Sequence, residues 1–205
     1  ISTQDHKPAY DGDKGPNTGG MGAYGPAPVV TADLEKEIME GIMEPVVRAM
    51  AGRGESYKGV LYGGLMITED GPKVIEFNCR FGDPEAQPIV MRMKSDLVPI
   101  LLATAEGRLE ETQLEWHPQA AVCVVMASGG YPGSYEKGKE ITGLADAAKL
   151  DDVMVFHVMD DDELDFTFSG PPKRENRSNT RSKDSTSARV TPANSPTPST
   201  LRFFS

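Results

Sequence analysis

Three polar side chains set two residues apart define the chemistry open to this chain. In Val74–Gln87, Val-Ile-Glu-Phe-Asn-Cys-Arg-Phe-Gly-Asp-Pro-Glu-Ala-Gln, the residues Glu76, Asn78 and Arg80 alternate with Ile75, Phe77 and Cys79. Alternation predicts a strand: a carboxylate, an amide oxygen and a guanidinium line one face, and apolar side chains line the other. Hard oxygens from Glu76 and Asn78 on a rigid strand suit Mg2+, which shares its shell with substrate phosphates. Arg80, one step further, suits a bidentate grip on phosphate or carboxylate. Gly82, Asp83 and Pro84 force a turn, and Glu85 and Gln87 follow where a helix could begin. The same alternation also fits a two-faced edge strand whose polar side meets only water.

A second stretch is Gly15–Tyr24, Gly-Pro-Asn-Thr-Gly-Gly-Met-Gly-Ala-Tyr, with four glycines in the eight residues from Gly15 to Gly22. Such backbone lets amide N–H groups converge on an anion, and Asn17 and Thr18 add hydrogen-bonding side chains. Glycine content alone favours a flexible surface loop. No Gly-Lys-Ser/Thr follows, so it is not a Walker loop, and no strand–turn–helix frames a dinucleotide fingerprint.

Arg-Phe-Gly-Asp-Pro-Glu-Ala-Gln at Arg80–Gln87, preceded by Gly15–Tyr24, resembles the signature of the phosphoribosylamine–glycine ligase (glycinamide ribonucleotide synthetase) family of ATP-grasp enzymes. The resemblance implies ATP-dependent joining of glycine to 5-phosphoribosylamine in purine biosynthesis, through a glycyl phosphate. ATP and Mg2+ or Mn2+ would be the cofactors, and the enzyme would be cytoplasmic. On the matching positions it implies Glu76 and Asn78 at the metal, and Arg80 on the γ-phosphate or acyl phosphate. Asp13, Asn17, Thr18, Gly19, Gly20, Met21 and Gly22 would lie on the phosphoribosylamine side. Asp83 and Asp13 would orient either the amine or Arg80. Other ATP-grasp carboxylate–amine ligases share the Glu-x-Asn-x-Arg strand, but generally lack the two motifs together.

The family's order implies an α+β chain. Residues 1–115 would be the later part of an ATP-grasp domain, an antiparallel sheet with flanking helices. Residues 116–158 would open a small, β-rich C-terminal domain. The upstream domains, with their ATP loop and lysines, are missing from this reading, so the ATP site would be half built, and an inactive fragment of that enzyme is the alternative reading for the chain alone.

The positioning elements follow from local pattern. Ser2–His6 reads as the end of a strand. Thr31–Ala51 reads as a helix: Thr31 is an N-cap, Leu34, Ile38, Ile42, Met43, Val46, Val47 and Met50 form a core stripe, and Pro45 is a kink. Tyr57–Thr68 predicts a strand bulged at Gly63–Gly64, with a turn at Glu69–Pro72 that returns the metal strand antiparallel to it. Ala86–Met93 and Ser95–Ala105 predict two helices, the second capped by Ser95. Ala120–Ala127 is an apolar run expected as a central strand, and Gly138–Ile141 and Val153–His157 are expected as short strands. His117 reads as a surface histidine.

The 205 residues are 38% hydrophobic and 25% charged, a composition that can bury a core. The net charge of −10 argues against nucleic acid or an anionic membrane as the main partner. No apolar run approaches the roughly 20 residues of a membrane span, and Ile1–Lys7 has no signal-peptide character. The first residue is not Met, so the chain is expected to begin mid-protein or after processing. Charge is uneven: residues 171–205 carry a net +5 and residues 1–170 a net −15. Cys79 and Cys123 read as small buried hydrophobes in a reducing compartment. From about Met159 the resemblance stops. Residues 159–205, rich in Ser, Thr, Pro, Arg and Asn, predict a disordered tail or a wrong-frame or mis-spliced end. Phe203 and Phe204 give no fold signal.

Overall fold

A computed structural model describes residues 1–157 and the strand Thr200–Phe204. It is a mixed fold of helices and antiparallel sheet. The chain divides into two units, Ile1–Lys139 with Ser195–Ser205, and Glu140–Asn194.

Among the described residues of the first unit, six strands form one sheet. They are β1 (Ser2–Asp5), β4 (Gly22–Gly25), β5 (Tyr62–Thr68), β6 (Gly71–Asn78), β7 (Ala121–Val124) and β8 (Thr200–Phe204), in spatial order β6-β5-β8-β1-β4-β7. Every neighbouring pair is antiparallel. β1 is polar, yet Ser2, Thr3, Gln4 and Asp5 are all buried, because β4 and β8 flank it. β2 (Pro8–Tyr10) and β3 (Lys14–Asn17) form a separate hairpin. The stretch read as a free glycine loop is therefore partly strand.

The expected hairpin is present. Thr68 pairs with Gly71 across Glu69 and Asp70, and the register slips between Gly64 and Leu65, where the bulge was expected. β5 starts at Tyr62, later than the pattern predicts.

The long helix is three pieces: α1 (Ala32–Ile38), a π-helical turn (Met39–Met43) and α2 (Glu44–Gly52). Thr31 caps α1, its hydroxyl accepting from Leu34 N–H at 3.2 Å. Pro45 has no N–H for an i→i−4 bond; the wide turn ends just before it, Glu44 N–H reaching back to Met39 O. This layer packs on β5. Ile38, Met43, Leu61 and Leu65 form the buried core, with Leu34, Ile42, Val46 and Val47 packed around them.

α3 (Ala86–Arg92) and α4 (Leu97–Glu106) follow the Gly-Asp-Pro-Glu turn. Asp96 caps α4, accepting from Val98 N–H at 3.0 Å. Ser95, the expected cap, instead donates to Gln113 O and accepts from Glu115 N–H. Arg92 Nε donates to Gln119 O at 2.9 Å and Nη2 to His117 O, tying α3 to the segment before β7. His117 is half-buried there, not a surface side chain.

Four further expectations change. Ile75 and Phe77 are 54% and 38% exposed, and Cys79 is exposed as well, so the apolar face of β6 is not buried. β6 is an edge strand, and alternation fixes only which side chains share a face, not whether anything covers it. The apolar run before Ala127 forms the opposite edge strand β7, with Val122 66% exposed. Its composition resembles a central strand, but sheet position is set by pairing partners. Gly138–Ile141, at the boundary of the two units, and Val153–His157, in the second, are not strands; no strand pairs with them among the described residues. The described part of that unit carries the short helix α5 (Leu144–Ala147). Finally, β8 fills the slot between β5 and β1 although its sequence carried no fold signal. A slot with backbone N–H and C=O groups on both sides accepts extended chain without needing an apolar period. Residues 158–199 lie outside the described residues, and with them most of the expected tail.

Leu65 sits fully buried at the centre of the β5–helix interface. Leu65→Ala is expected to cost about 2–5 kcal/mol, read as a lower urea midpoint with an unchanged m value.

Candidate phosphate and metal site

The site is built on the sheet face opposite α1 and α2. Gly63 pairs with Phe77, and a side chain added at Gly63 would meet Met43 from the helix layer. Tyr62 pairs with Asn78 and Gly64 with Glu76, so these residues look out from the other face. A Cβ at Gly64 would lie 3.0 Å from Glu76 Cγ, so the missing side chain gives Glu76 room. Glu76 is exposed and Asn78 half-buried. Strand geometry thus places the carboxylate and the amide oxygen on one face, as the spacing predicts.

Arg80 follows immediately. Its guanidinium carbon lies 6.0 Å from the centre of the Tyr62 ring, and Nη1 donates to Phe81 O at 2.8 Å. The chain then crosses the sheet. Gly82 packs against both Tyr62 and Glu85, and a Cβ there would lie 2.7 Å from Tyr62 Cε2 and overlap Glu85 Oε2. Ala86 N–H closes the turn on Gly82 O at 2.9 Å. Pro84 meets Gly20 from the glycine loop, and α3 reaches β4 and β7 at the far side.

The glycine loop is fixed to the end of β1. Thr18 gives both its N–H and its hydroxyl to Lys7 O, each at 2.8 Å, and Thr18 Oγ1 accepts from Gly20 N–H. Met21 N–H donates to His6 O at 2.7 Å, and Gly22 O accepts from His6 N–H. Gly20 is buried with φ +146°, a conformation closed to most side chains, and a Cβ there would overlap Pro84 Cδ. Gly20 is therefore brought against the turn that carries Asp83, whereas Thr18 and Met21 are held on Lys7 and His6, Gly22 lies against Cys123 of β7, and Gly19 is exposed. Asn17 is exposed at the end of β3. Asp13 sits at a left-handed φ of 55° in the β2–β3 turn, 3.8 Å from His6 Nδ1. Asp83 is exposed and accepts from Gln87 Nε2 at 3.2 Å.

Sequence reasoning missed Glu85, which is 1% exposed and accepts from the hydroxyl of the fully buried Tyr62 at 3.2 Å. It also missed Asp5, buried in β1 with Lys7 Nζ 3.9 Å away. Burial first, then the nearby Asp5 charge, pushes the Glu85 carboxyl up to about 7. Nothing in the local pattern marks Glu85 as buried, because its partners come from β5 and β1.

Glu76 and Asn78 suit a hard divalent cation in donor chemistry and facing. Among the described residues no three His, Cys, Asp or Glu side chains gather as a metal cage, so a cation here would complete its shell with phosphate and water oxygens. No helix among the described residues is long and apolar enough to cross a membrane.

Glu76 and Asn78 lie on β6, while Arg80, expected on the same strand face, falls in the bend just after the strand ends, and the pinned glycine loop meets the turn that follows. Residues 1–86 match the family model for the phosphoribosylglycinamide synthetase ATP-grasp (A) domain, and residues 121–170 match that for its C domain. The second match runs past Met159, where the sequence reading saw the resemblance stop. The chain is 59% identical over 155 residues to the phosphoribosylamine–glycine ligase of Rhodopirellula baltica, covering 75% of this chain and 36% of that one. It is 56% identical over 174 residues to the enzyme of the same name from Escherichia coli O157:H7, covering 83% and 40%. A crystal structure of phosphoribosylamine–glycine ligase from Thermotoga maritima superposes with a TM-score of 0.58 at 39% identity, covering 67% of this chain and 34% of that one. The chain belongs to the phosphoribosylglycinamide synthetase family and spans 36–40% of the length of these curated relatives.

Two outcomes are expected at this site. Gly20→Ala should part the glycine loop from Pro84, costing about 1–3 kcal/mol in urea denaturation and speeding amide exchange at Met21. The second concerns pH. Between pH 4.5 and about 7 the folded chain keeps the Glu85 proton that the unfolded chain has released, so this group's contribution to stability falls as pH rises through that window. At about 1.4 kcal/mol per unit the fall is roughly 3 kcal/mol at most. Glu85→Gln should remove that slope, and the difference between the two stability–pH curves measures it.

Proposed function

We propose that this chain supplies the metal–phosphate strand and the substrate loop of a phosphoribosylamine–glycine ligase, an ATP-dependent C–N ligase. In this reading residues 1–115 are the later part of the ATP-grasp domain and residues 116–158 open the C-terminal domain. The substrates are glycine, 5-phosphoribosylamine and ATP, handled in the cytoplasm without nucleic acid or membrane. The observation that carries the reading is the shared face of Glu76 and Asn78, with Arg80 beside them over Tyr62.

The chemical difficulty is that a carboxylate is a poor electrophile, and its activation crowds anions together. The glycine carboxylate attacks the γ-phosphorus of ATP, releasing ADP and forming glycyl phosphate. The amine of phosphoribosylamine then attacks the carbonyl carbon, phosphate leaves, and the amine gives up a proton. Glu76 and Asn78 would hold Mg2+ or Mn2+, which would supply charge neutralisation for the phosphates. Arg80 holds the γ-phosphate or acyl phosphate by charge-assisted hydrogen bonds. The loop faces the phosphoribosylamine side through exposed Gly19, with Asn17 and Asp13 at its margin; the donors of Thr18, Gly20 and Met21 are committed to holding the loop in place rather than to substrate. Asp83 stands at the turn, where it orients the amine.

A second reading, that the isolated chain is an inactive piece of that enzyme, is favoured by its span of 36–40% of its relatives. Calorimetric titration with Mg-ATP separates the two. Saturable binding, weakened at least tenfold in Glu76→Ala, is the expected result, and equal affinity in that variant would remove Glu76 from the metal site. Absence of binding by the native chain would assign the activity to the longer enzyme.

A further inference from the structure

Arg80 is the side chain asked to meet phosphate, yet it is exposed and stands in a turn. Long exposed side chains lose rotamer freedom on binding, so something must hold its direction in advance. Three contacts converge on that task. The guanidinium carbon sits 6.0 Å from the Tyr62 ring centre, within the range of a cation–π contact. The Tyr62 hydroxyl donates to Glu85 Oε1 at 3.2 Å, and both side chains are buried. Gly82 packs between the two, and Ala86 N–H on Gly82 O closes the turn that joins Arg80 to Glu85.

We propose that Tyr62 and Glu85 are positioning residues for Arg80: the Glu85 carboxyl fixes the Tyr62 hydroxyl, and the fixed ring sets the guanidinium toward bound phosphate. The inference rests on the phosphate-binding reading of Arg80 and deepens it. It gives Glu85 a task without placing it on substrate.

The titratable groups facing Glu85 come from every side of it. Asp5 lies on β1, Lys7 follows that strand, Asp83 is in the same turn and Tyr62 is on β5. Burial and Asp5 keep Glu85 protonated up to about pH 7. Its ionisation places a negative charge at the hydroxyl end of the Tyr62 ring, whose face meets the Arg80 cation. A side chain that only filled space at Glu85 would leave Arg80 insensitive to pH in this range.

The test uses the whole 205-residue chain and needs no turnover. The Arg80 Nε–Hε resonance is followed by NMR from pH 5 to 9 in the native chain, in Glu85→Gln and in Tyr62→Phe. The native resonance is expected to titrate with a midpoint near 7. The inflection is expected to be lost in Glu85→Gln and weakened in Tyr62→Phe, which keeps the ring and loses the hydroxyl. A flat native profile would overturn the proposal, as would an inflection that survives in both variants. If Glu85→Gln does not fold, Tyr62→Phe reads the same link. Titration with Mg-ATP then separates this inference from the function it rests on. Tyr62→Phe is expected to weaken binding by about twofold to fivefold. An Arg80 that follows Glu85 in a chain that does not bind Mg-ATP would sink the ligase reading for this chain and leave the positioning intact.

Discussion

The buried hydrogen bond between the Tyr62 hydroxyl and the Glu85 carboxyl is the constraint on which the site depends. A carboxyl group taken out of water loses strong solvation and must be neutralised or hydrogen-bonded. Here both occur: Tyr62 supplies the donor, and burial beside Asp5 holds the proton. The bond pins the start of α3 to β5, so the Arg80–Glu85 turn cannot swing away from the sheet. Everything downstream of the turn inherits that anchor.

A second, purely steric constraint completes the site. Gly20 and Pro84 touch where the glycine loop meets the turn, and Gly20 is at a φ that only glycine adopts readily. The loop is held from behind by Thr18 and Met21 on the backbone of Lys7 and His6. Two segments about sixty residues apart in sequence thus share one surface, with no side-chain hydrogen bond needed between them at the point of closest packing. Preorganisation of this kind suits the binding of polyanions, because the entropy of ordering a glycine-rich loop has already been met on folding.

The two sheet edges expose apolar side chains. Ile75 and Phe77 on β6 and Val122 on β7 are apolar and open to water. Alternation along β6 puts Glu76 and Asn78 on one face, but Arg80, expected in the same row, lies beyond the strand's end. Which face is covered is a property of neighbouring layers and cannot be taken from a strand's own pattern. The same reason explains Ala121–Val124: an unbroken apolar run looks central, but pairing leaves it at an edge.

The sequence by itself determined the local elements and the family. Thr31 as a helix cap, the Gly63–Gly64 bulge, the hairpin into β6, and the motifs at Gly15–Tyr24 and Arg80–Gln87 all rest on interactions between residues close along the chain. Only the tertiary structure decided that Glu85 is buried against Tyr62, that Gly20 rests on Pro84, and that Thr200–Phe204 lies between β5 and β1. Each of these joins segments far apart in sequence, and the burial, shifted proton affinity and strand order that result belong to the assembled sheet. Local pattern records what a residue can do; the partners that make it do so are supplied by the fold.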